Sequence, residues 1–238
     1  DLLGTRGRDD LRWPFERDWT RLCDTYIDAA DLVTVSNVAL QDRYGGLIVP
    51  HARDERRFDP ARFDREATRD RLGVRPDERL LLFGGTPRAH KGVVEVLEAL
   101  ERLGDDRYRV LMFGTKEFDE LKGRIGDLAR WARVLPALPF DELPELVNAA
   151  DLACVIQDPS HPVSRYQMPA KVSDALAMGV PCLVTRTPPL GPLVDAGVLQ
   201  VLEPGDELHE RIARVFDDPA DARERAVGER DLEVLAAY

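Results

Sequence analysis

A chain of 238 residues with 44% apolar residues can bury a sizeable core, which excludes global disorder. Its net charge of −11 excludes a general nucleic-acid-binding face, whose phosphate contacts need a basic surface, but leaves room for a local basic pocket around one phosphorylated ligand. The longest apolar runs fall far short of the ~20 residues of a membrane-spanning helix, and no signal-peptide pattern is read at the start.

In chain order, a helical stretch over about 18–30 leads to a strand at Asp31–Ser36. Ser36 is placed to cap a short helix, Asn37–Tyr44, stopped by Gly45 and Gly46, and Leu47–Pro50 reads as a second strand. His51–Arg65 is polar and has neither period, so it reads as a linker. After Gly73 the alternation is regular. Strands are predicted at Leu80–Gly84, Arg109–Gly114, Arg133–Leu138, Leu152–Gln157, Pro181–Thr185 and Leu199–Leu202. Helices are predicted between them at Lys91–Leu103, Glu117–Trp131, Asp141–Ala149, Pro169–Met178 and Pro188–Ala196, with two more at about Glu207–Phe216 and Ala220–Ala236. Several strands are unbroken apolar runs, as strands covered on both faces are. The fold class is therefore α/β, a doubly wound, parallel, six-stranded Rossmann-like sheet. Cys23, Cys154 and Cys182 have no CxxC spacing and read as small hydrophobes of a reduced cytosolic protein.

Such sheets bind ligands beyond the carboxyl ends of their strands, so the loops there are where chemistry is sought. The loop after the first regular strand, Phe83–Gly92, holds glycines with Arg88, His90 and Lys91, yet lacks both the dinucleotide GxGxxG and the Walker GxxxxGK spacing. A lysine at a helix start opposes the helix dipole, and an anion bound there reverses that penalty. Lys91 thus reads either as a solvated loop cation or as an anion ligand. The segment after the fourth strand, Ser160–Pro181, runs into a helix whose core stripe is Val172, Ala175 and Leu176. Lys171 and Asp174, three apart, are neighbours on its other face. They read either as a surface ion pair or as a phosphate contact beside a carboxylate that accepts sugar hydroxyls.

Four stretches, in order, resemble the retaining GT-B-fold glycosyltransferases of the "glycosyl transferases group 1" family. Ile48–Asp54 with Phe58 resembles the family's V-P-N/H-G-x-D linker, and Phe83–Gly92 its phosphate loop ending in KG. Asp141–Leu143 with Ala150–Leu152 resembles its helix and strand ending in aDv, and Pro169–Pro181 its P-x-K-x-x-E-A-L-A-x-G-x-P motif.

The resemblance implies that the chain is the donor half of a two-domain enzyme. Residues 1–50 would be a remnant of an acceptor domain of roughly 150–200 residues, 51–72 a linker, and 73–238 the nucleotide-sugar-binding domain. Lys91 and Arg88 would stabilise the departing diphosphate. Gly85, Thr86, Gln167, Met168, Lys171 and Asp174 would hold the donor nucleotide, with the base against Leu135 and Ala137. Asp174 stands where most members carry Glu, Thr86 where many carry Arg, and Tyr166 where the E-x7-E version has its first Glu. The implied partners are a nucleoside-diphosphate sugar and a glycan or lipid acceptor of unspecified identity, with no nucleic acid, no metal and no cofactor. The remaining expectations are a cytoplasmic location or the face of the inner membrane, and self-association through a cleft left uncovered. A non-catalytic nucleotide-sugar-binding module and a GT-B-fold sugar-nucleotide epimerase are the alternatives.

Overall fold

The computed structural model describes residues 24–85 and 89–217. Its main body is a six-stranded, all-parallel sheet. The strands are β3 (Arg79–Phe83), β4 (Tyr108–Phe113), β5 (Ala132–Leu135), β6 (Leu152–Val155), β7 (Cys182–Thr185) and β8 (Gln200–Leu202), in the order β5-β4-β3-β6-β7-β8. The chain winds outward from β3 to one edge, returns to β6, and winds to the other edge. The strand order therefore reverses between β3 and β6, which is where doubly wound sheets open a crevice. The predicted sheet, its parallel sense and its six strands all appear.

Ahead of it lies a small βαβ unit. Strands β1 (Thr34–Val35) and β2 (Leu47–Ile48) pair in parallel, joined by helix α1 (Val38–Tyr44). Asn37, not Ser36, caps that helix: its carboxamide oxygen accepts the Leu40 N–H at 3.1 Å. Its amide nitrogen donates to the Tyr166 carbonyl at 2.9 Å, fastening the unit to the main body.

The main helices are α2 (Arg65–Arg71), α3 (Val93–Leu103), α4 (Thr115–Ile125), α5 (Leu143–Ala149), α6 (Pro162–Tyr166), α7 (Ala170–Ala177), α8 (Gly191–Asp195) and α9 (Leu208–Asp217). They cover both faces of the sheet. Leu80 and Leu82 of β3 enter one buried cluster with Val147, Val155, Val172 and Leu176, while Leu81 and Phe83 enter another with Val96, Leu97, Leu100 and Met112. Successive residues of a strand point to opposite faces, so a strand buried on both is apolar throughout. Of the helix expected over about 18–30, residues 18–23 fall outside the described residues and the rest holds a 3-10 turn, Ile27–Ala29; the helix expected over 220–236 and Cys23 also fall outside them.

Helix α2 forms inside what the sequence predicts to be linker. Asp64 caps it by accepting the Ala67 N–H at 3.0 Å, and it packs on α5, where the Thr68 hydroxyl donates to Glu145 at 2.9 Å. Its buried Arg69 donates to the Ala149 carbonyl (2.9 Å) and to Asp151 (3.1 Å). Asp151 also accepts from Arg65 and from the Leu80 N–H (2.7 Å), so one carboxylate ties α2 to the start of β3. Replacing Asp151 with Ala would strip the buried Arg69 guanidinium of its counter-charge and remove the acceptor of the Leu80 N–H. That change is expected to cost about 2–4 kcal/mol. Removing the exposed partner of the Arg71–Glu145 pair, by Arg71→Ala, is expected to cost under about 1 kcal/mol. Urea unfolding of the two variants tests the contrast, and equal midpoints would refute it.

Candidate functional site

The loops after β3 and β6 meet at the crevice because their backbones touch. Gly92, at φ +71°, lies so close to the end of β6 that a Cβ there would fall 1.8 Å from the Ile156 carbonyl oxygen. Only glycine fits both that contact and that dihedral. The Asp158 N–H donates to the His90 carbonyl at 3.0 Å, and the His90 and His161 rings stack with centroids 4.2 Å apart and planes 9° apart. His161 in turn accepts the Val163 N–H at 3.2 Å through Nδ1 and caps α6. The phosphate-loop candidate and the segment leading to α7 are thus interlocked.

Lys91 ends the 3-10 turn Ala89–Lys91 before α3, and Lys171 lies in the first turn of α7. Gly84 and Gly85 line the space between them. A Cβ on Gly84 would lie 3.2 Å from the Lys171 Cβ, and one on Gly85 3.8 Å from the Lys91 Nζ. The Lys171 ammonium is buried, lies 4.5 Å from the centroid of the Phe83 ring, and has no hydrogen-bond partner among the described residues. Burial, and then the charge of Lys91, bring its pKa down to about 8. The two lysines singled out in the sequence therefore converge. The charge of Lys91 bears on that of Lys171.

Asp174 is buried on α7, where it does not pair with Lys171. Its Oδ1 accepts from the Nε of Arg53. Burial raises the Asp174 pKa, while Arg53 and His51 act in the other direction. The expected surface pair between Lys171 and Asp174 is thus replaced by two separate environments. Their side chains lie on a helix that is sunk against the sheet rather than on its surface.

Met168 packs against the core beside these groups, and Gln167 is exposed. The Gln167 N–H donates to the Val163 carbonyl at 2.9 Å and closes α6. Among the described residues the Met168 N–H carries no such bond and keeps that capacity. Leu135 ends β5 with its carbonyl accepting the Gly114 N–H at 3.0 Å, and Ala137 is exposed just beyond. Both stand at the carboxyl edge, two strands away from β3. Thr86 and Arg88 lie outside the described residues.

Residues 64–230 match the family model for Glycosyl transferases group 1. The chain belongs to that family. Its sequence is 34% identical over 186 residues to a D-inositol 3-phosphate glycosyltransferase of Geodermatophilus obscurus, a match that spans 70% of this chain and 39% of that relative. In structure it is similar to Anabaena Alr3699/HepE, crystallised with UDP and glucose, at a TM-score of 0.69 and 19% identity, covering 89% of this chain and 59% of HepE. It is also similar to the sucrose-phosphate synthase of Thermosynechococcus elongatus, at a TM-score of 0.69 and 19% identity, covering 100% of this chain and 67% of that one. At these identities the structural likeness shows the fold, which is that of the GT-B glycosyltransferases.

Residue-by-residue reading missed Arg53, which reaches Asp174 across 121 positions of sequence with no local signal, and the His90–His161 stack. The interlock at Gly92 carries a direct expectation for a group 1 glycosyltransferase built this way. Gly92→Ala adds both a strained dihedral and an overlap with backbone, and is expected to destabilise by more than about 2 kcal/mol. Gly104→Ala, also at positive φ but with open space around its Cβ, is expected to cost less. Thermal melts of the pair decide it, and equal losses would show that the contact with Ile156 does not matter.

Proposed function

We propose that this chain is the donor-binding part of a retaining glycosyltransferase and holds a nucleoside-diphosphate sugar across the carboxyl ends of β3 and β6. The observation that carries this reading is the pair of lysines at the reversal point. A buried ammonium without a hydrogen-bond partner is costly, and two ammoniums together are costlier. A diphosphate relieves both terms at once by supplying charge and acceptor oxygens. Lys91, with Arg88 from the same loop, stabilises the negative charge that grows on the leaving diphosphate, which is the main electrostatic task in this chemistry. Lys171, the Met168 N–H and the space over Gly84 and Gly85 hold the phosphates. Asp174 accepts from the ribose, and the base lies against Leu135 and Ala137. No separate cofactor or metal enters this reading, because these cations carry the leaving-group charge. Retention rests on the family resemblance.

The chain spans 39% of the length of the curated relative it matches, so the acceptor site is assigned to the part of such enzymes that these residues do not cover. Transfer needs donor and acceptor held together, a proximity effect that reaches about 7–11 kcal/mol. The 238 residues alone are therefore expected to bind donor but transfer sugar negligibly.

Calorimetric titration with UDP, ADP and GDP tests the nucleotide class, and absence of binding by all three would overturn the reading. Lys91→Ala removes a charge-assisted contact worth about 1.5–3 kcal/mol, so affinity for the bound nucleotide should fall roughly ten- to hundredfold. Unchanged affinity would remove Lys91 from the site.

Lys171 adds a pH signature. Its folded pKa, about 8, lies below the ordinary lysine value of 10.5. Between those values the unfolded chain holds a proton that the folded chain lacks, so the Lys171 contribution to stability improves as pH rises through that window. A bound diphosphate raises the folded pKa again, so binding takes up a proton there and weakens with rising pH. Titrations in buffers of different ionisation enthalpy should show this uptake in wild type and lose it in Lys171→Met. An uptake unchanged in that variant would assign it to another group.

A further inference from the structure

The Asp174 carboxylate, placed by the reading above against the donor ribose, is already half engaged. Arg53 donates from Nε to its Oδ1, from Nη2 to the Ala170 carbonyl at 3.1 Å, and from Nη1 to the Ala52 carbonyl at 2.9 Å. Each guanidinium nitrogen thus has an acceptor. The group also sits 5.6 Å from the centroid of the Phe58 ring, which is fully buried and leans on Phe140 at 5.9 Å. Arg57 pairs with Asp141 at 2.9 Å and anchors the same stretch of chain a few residues on. Arg53 is therefore a fixture of the linker packed on α7, with no loose end by which to swing aside. Among the described residues, Oδ2 of Asp174 accepts no hydrogen bond.

A vicinal diol meets a carboxylate best with one hydroxyl on each oxygen, and a guanidinium already seated on one oxygen takes one of its two lone pairs and part of the space before it. We propose that Arg53 is a specificity-determining residue for the donor nucleoside: by engaging Oδ1 of Asp174 it leaves Oδ2 the more open acceptor, so the site reads one ribose hydroxyl more strongly than the other. This rests on the nucleotide-binding reading and deepens it. Arg53 has a second effect in the same place. It opposes the rise in the Asp174 pKa that burial causes, and so favours the ionised acceptor.

The test compares UDP, 2′-deoxy-UDP and 3′-deoxy-UDP by calorimetry at one pH, near 8, so that Asp174 is ionised and Lys171 contributes equally throughout. In wild type, loss of one hydroxyl should weaken binding about tenfold or more, the scale of a hydrogen bond to a charged group, and loss of the other should change it less than about twofold. In Arg53→Met both oxygens are open, and both analogues should bind more weakly than UDP. Circular dichroism and a thermal melt establish that the variant is folded. Asp174→Asn, made beside it, should erase the discrimination seen in wild type, which keeps the proposal testable if Arg53→Met does not fold.

Equal losses for both analogues in wild type would mean that Arg53 yields to the ligand, and would overturn the proposal. No loss for either, with UDP itself bound, would take Asp174 off the ribose and overturn it too, leaving nucleotide binding intact. The wild-type pattern persisting in Arg53→Met or in Asp174→Asn would also overturn it. Failure of UDP to bind at all would overturn both this proposal and the UDP form of the reading beneath it.

Discussion

The contact on which the carboxyl edge depends is the approach of Gly92 to the Ile156 carbonyl. Strands β3 and β6 are neighbours in the sheet, but their following helices leave in different directions. The loop from β3 must cross the end of β6 to begin α3, and it can do so only without a side chain. Once the backbones touch, other features follow. His90 is carried onto His161, the Asp158 N–H meets the His90 carbonyl, and Lys91 is delivered to the crevice instead of the solvent. The lysine is positioned by packing of the chain, and its own long, flexible stem has little to do with it.

Among the described residues the Lys171 ammonium has no hydrogen-bond partner. Lys171 is sunk between Phe83 and the start of α7, and after burial the charge of Lys91 has the largest effect on it. The buried thiols nearby offer no counter-ion: burial pushes Cys154 up to about 12 and Cys182 higher still, so both stay neutral. The carboxylate one turn along the helix, Asp174, is committed to Arg53. Among the described residues, the thiols that act on Lys171 are uncharged and the neighbouring Asp174 is engaged by Arg53. In a folded protein a buried ammonium without a partner costs stability, and this cost is what the proposed diphosphate would relieve. The site is defined as much by these silenced neighbours as by the lysines themselves.

The sheet was legible because its physics is local. Leu80–Phe83 and Leu152–Val155 are apolar without interruption, and glycine follows most of the strand–helix units. The two loops that matter could be found from that alternation, since the place where ligands bind follows from strand order. What escaped was structure stabilised from afar. Helix α2 is so rich in arginine that no apolar stripe shows; its inward face is Arg69, whose burial is sustained by Asp151 and two carbonyls. Helix α6 is only five residues long and is capped by a histidine, a residue that gives no cap signal in sequence. The choice of Ser36 over Asn37 as a cap failed by one position, the ordinary error at a helix boundary. Arg53 had no local signal, because its partner is created by the fold.

The short unit of residues 24–50 and the stretch that follows are joined to the sheet domain at points around the candidate site. Asn37 donates to the carbonyl of Tyr166 on α6, Arg43 lies over the Tyr166 ring at 5.2 Å, and Arg53 holds α7 at both Ala170 and Asp174. Helices α6 and α7 are the elements that follow β6 into the crevice. A displacement of the preceding unit would therefore act first on the backbone that presents Met168 and Lys171, and on the carboxylate of Asp174, before it reached any strand. The strands themselves are locked by burial on both faces and by Asp151 at the opposite edge. The rigid part of the molecule is thus the sheet. The part whose geometry depends on what precedes it in the chain is the ligand-facing half of the crevice after β6. Lys91, tied to β3 and Gly92, belongs to the rigid half, while Lys171 and Asp174 belong to the dependent one, so the distance between the two cations is where the preceding segment and the site meet.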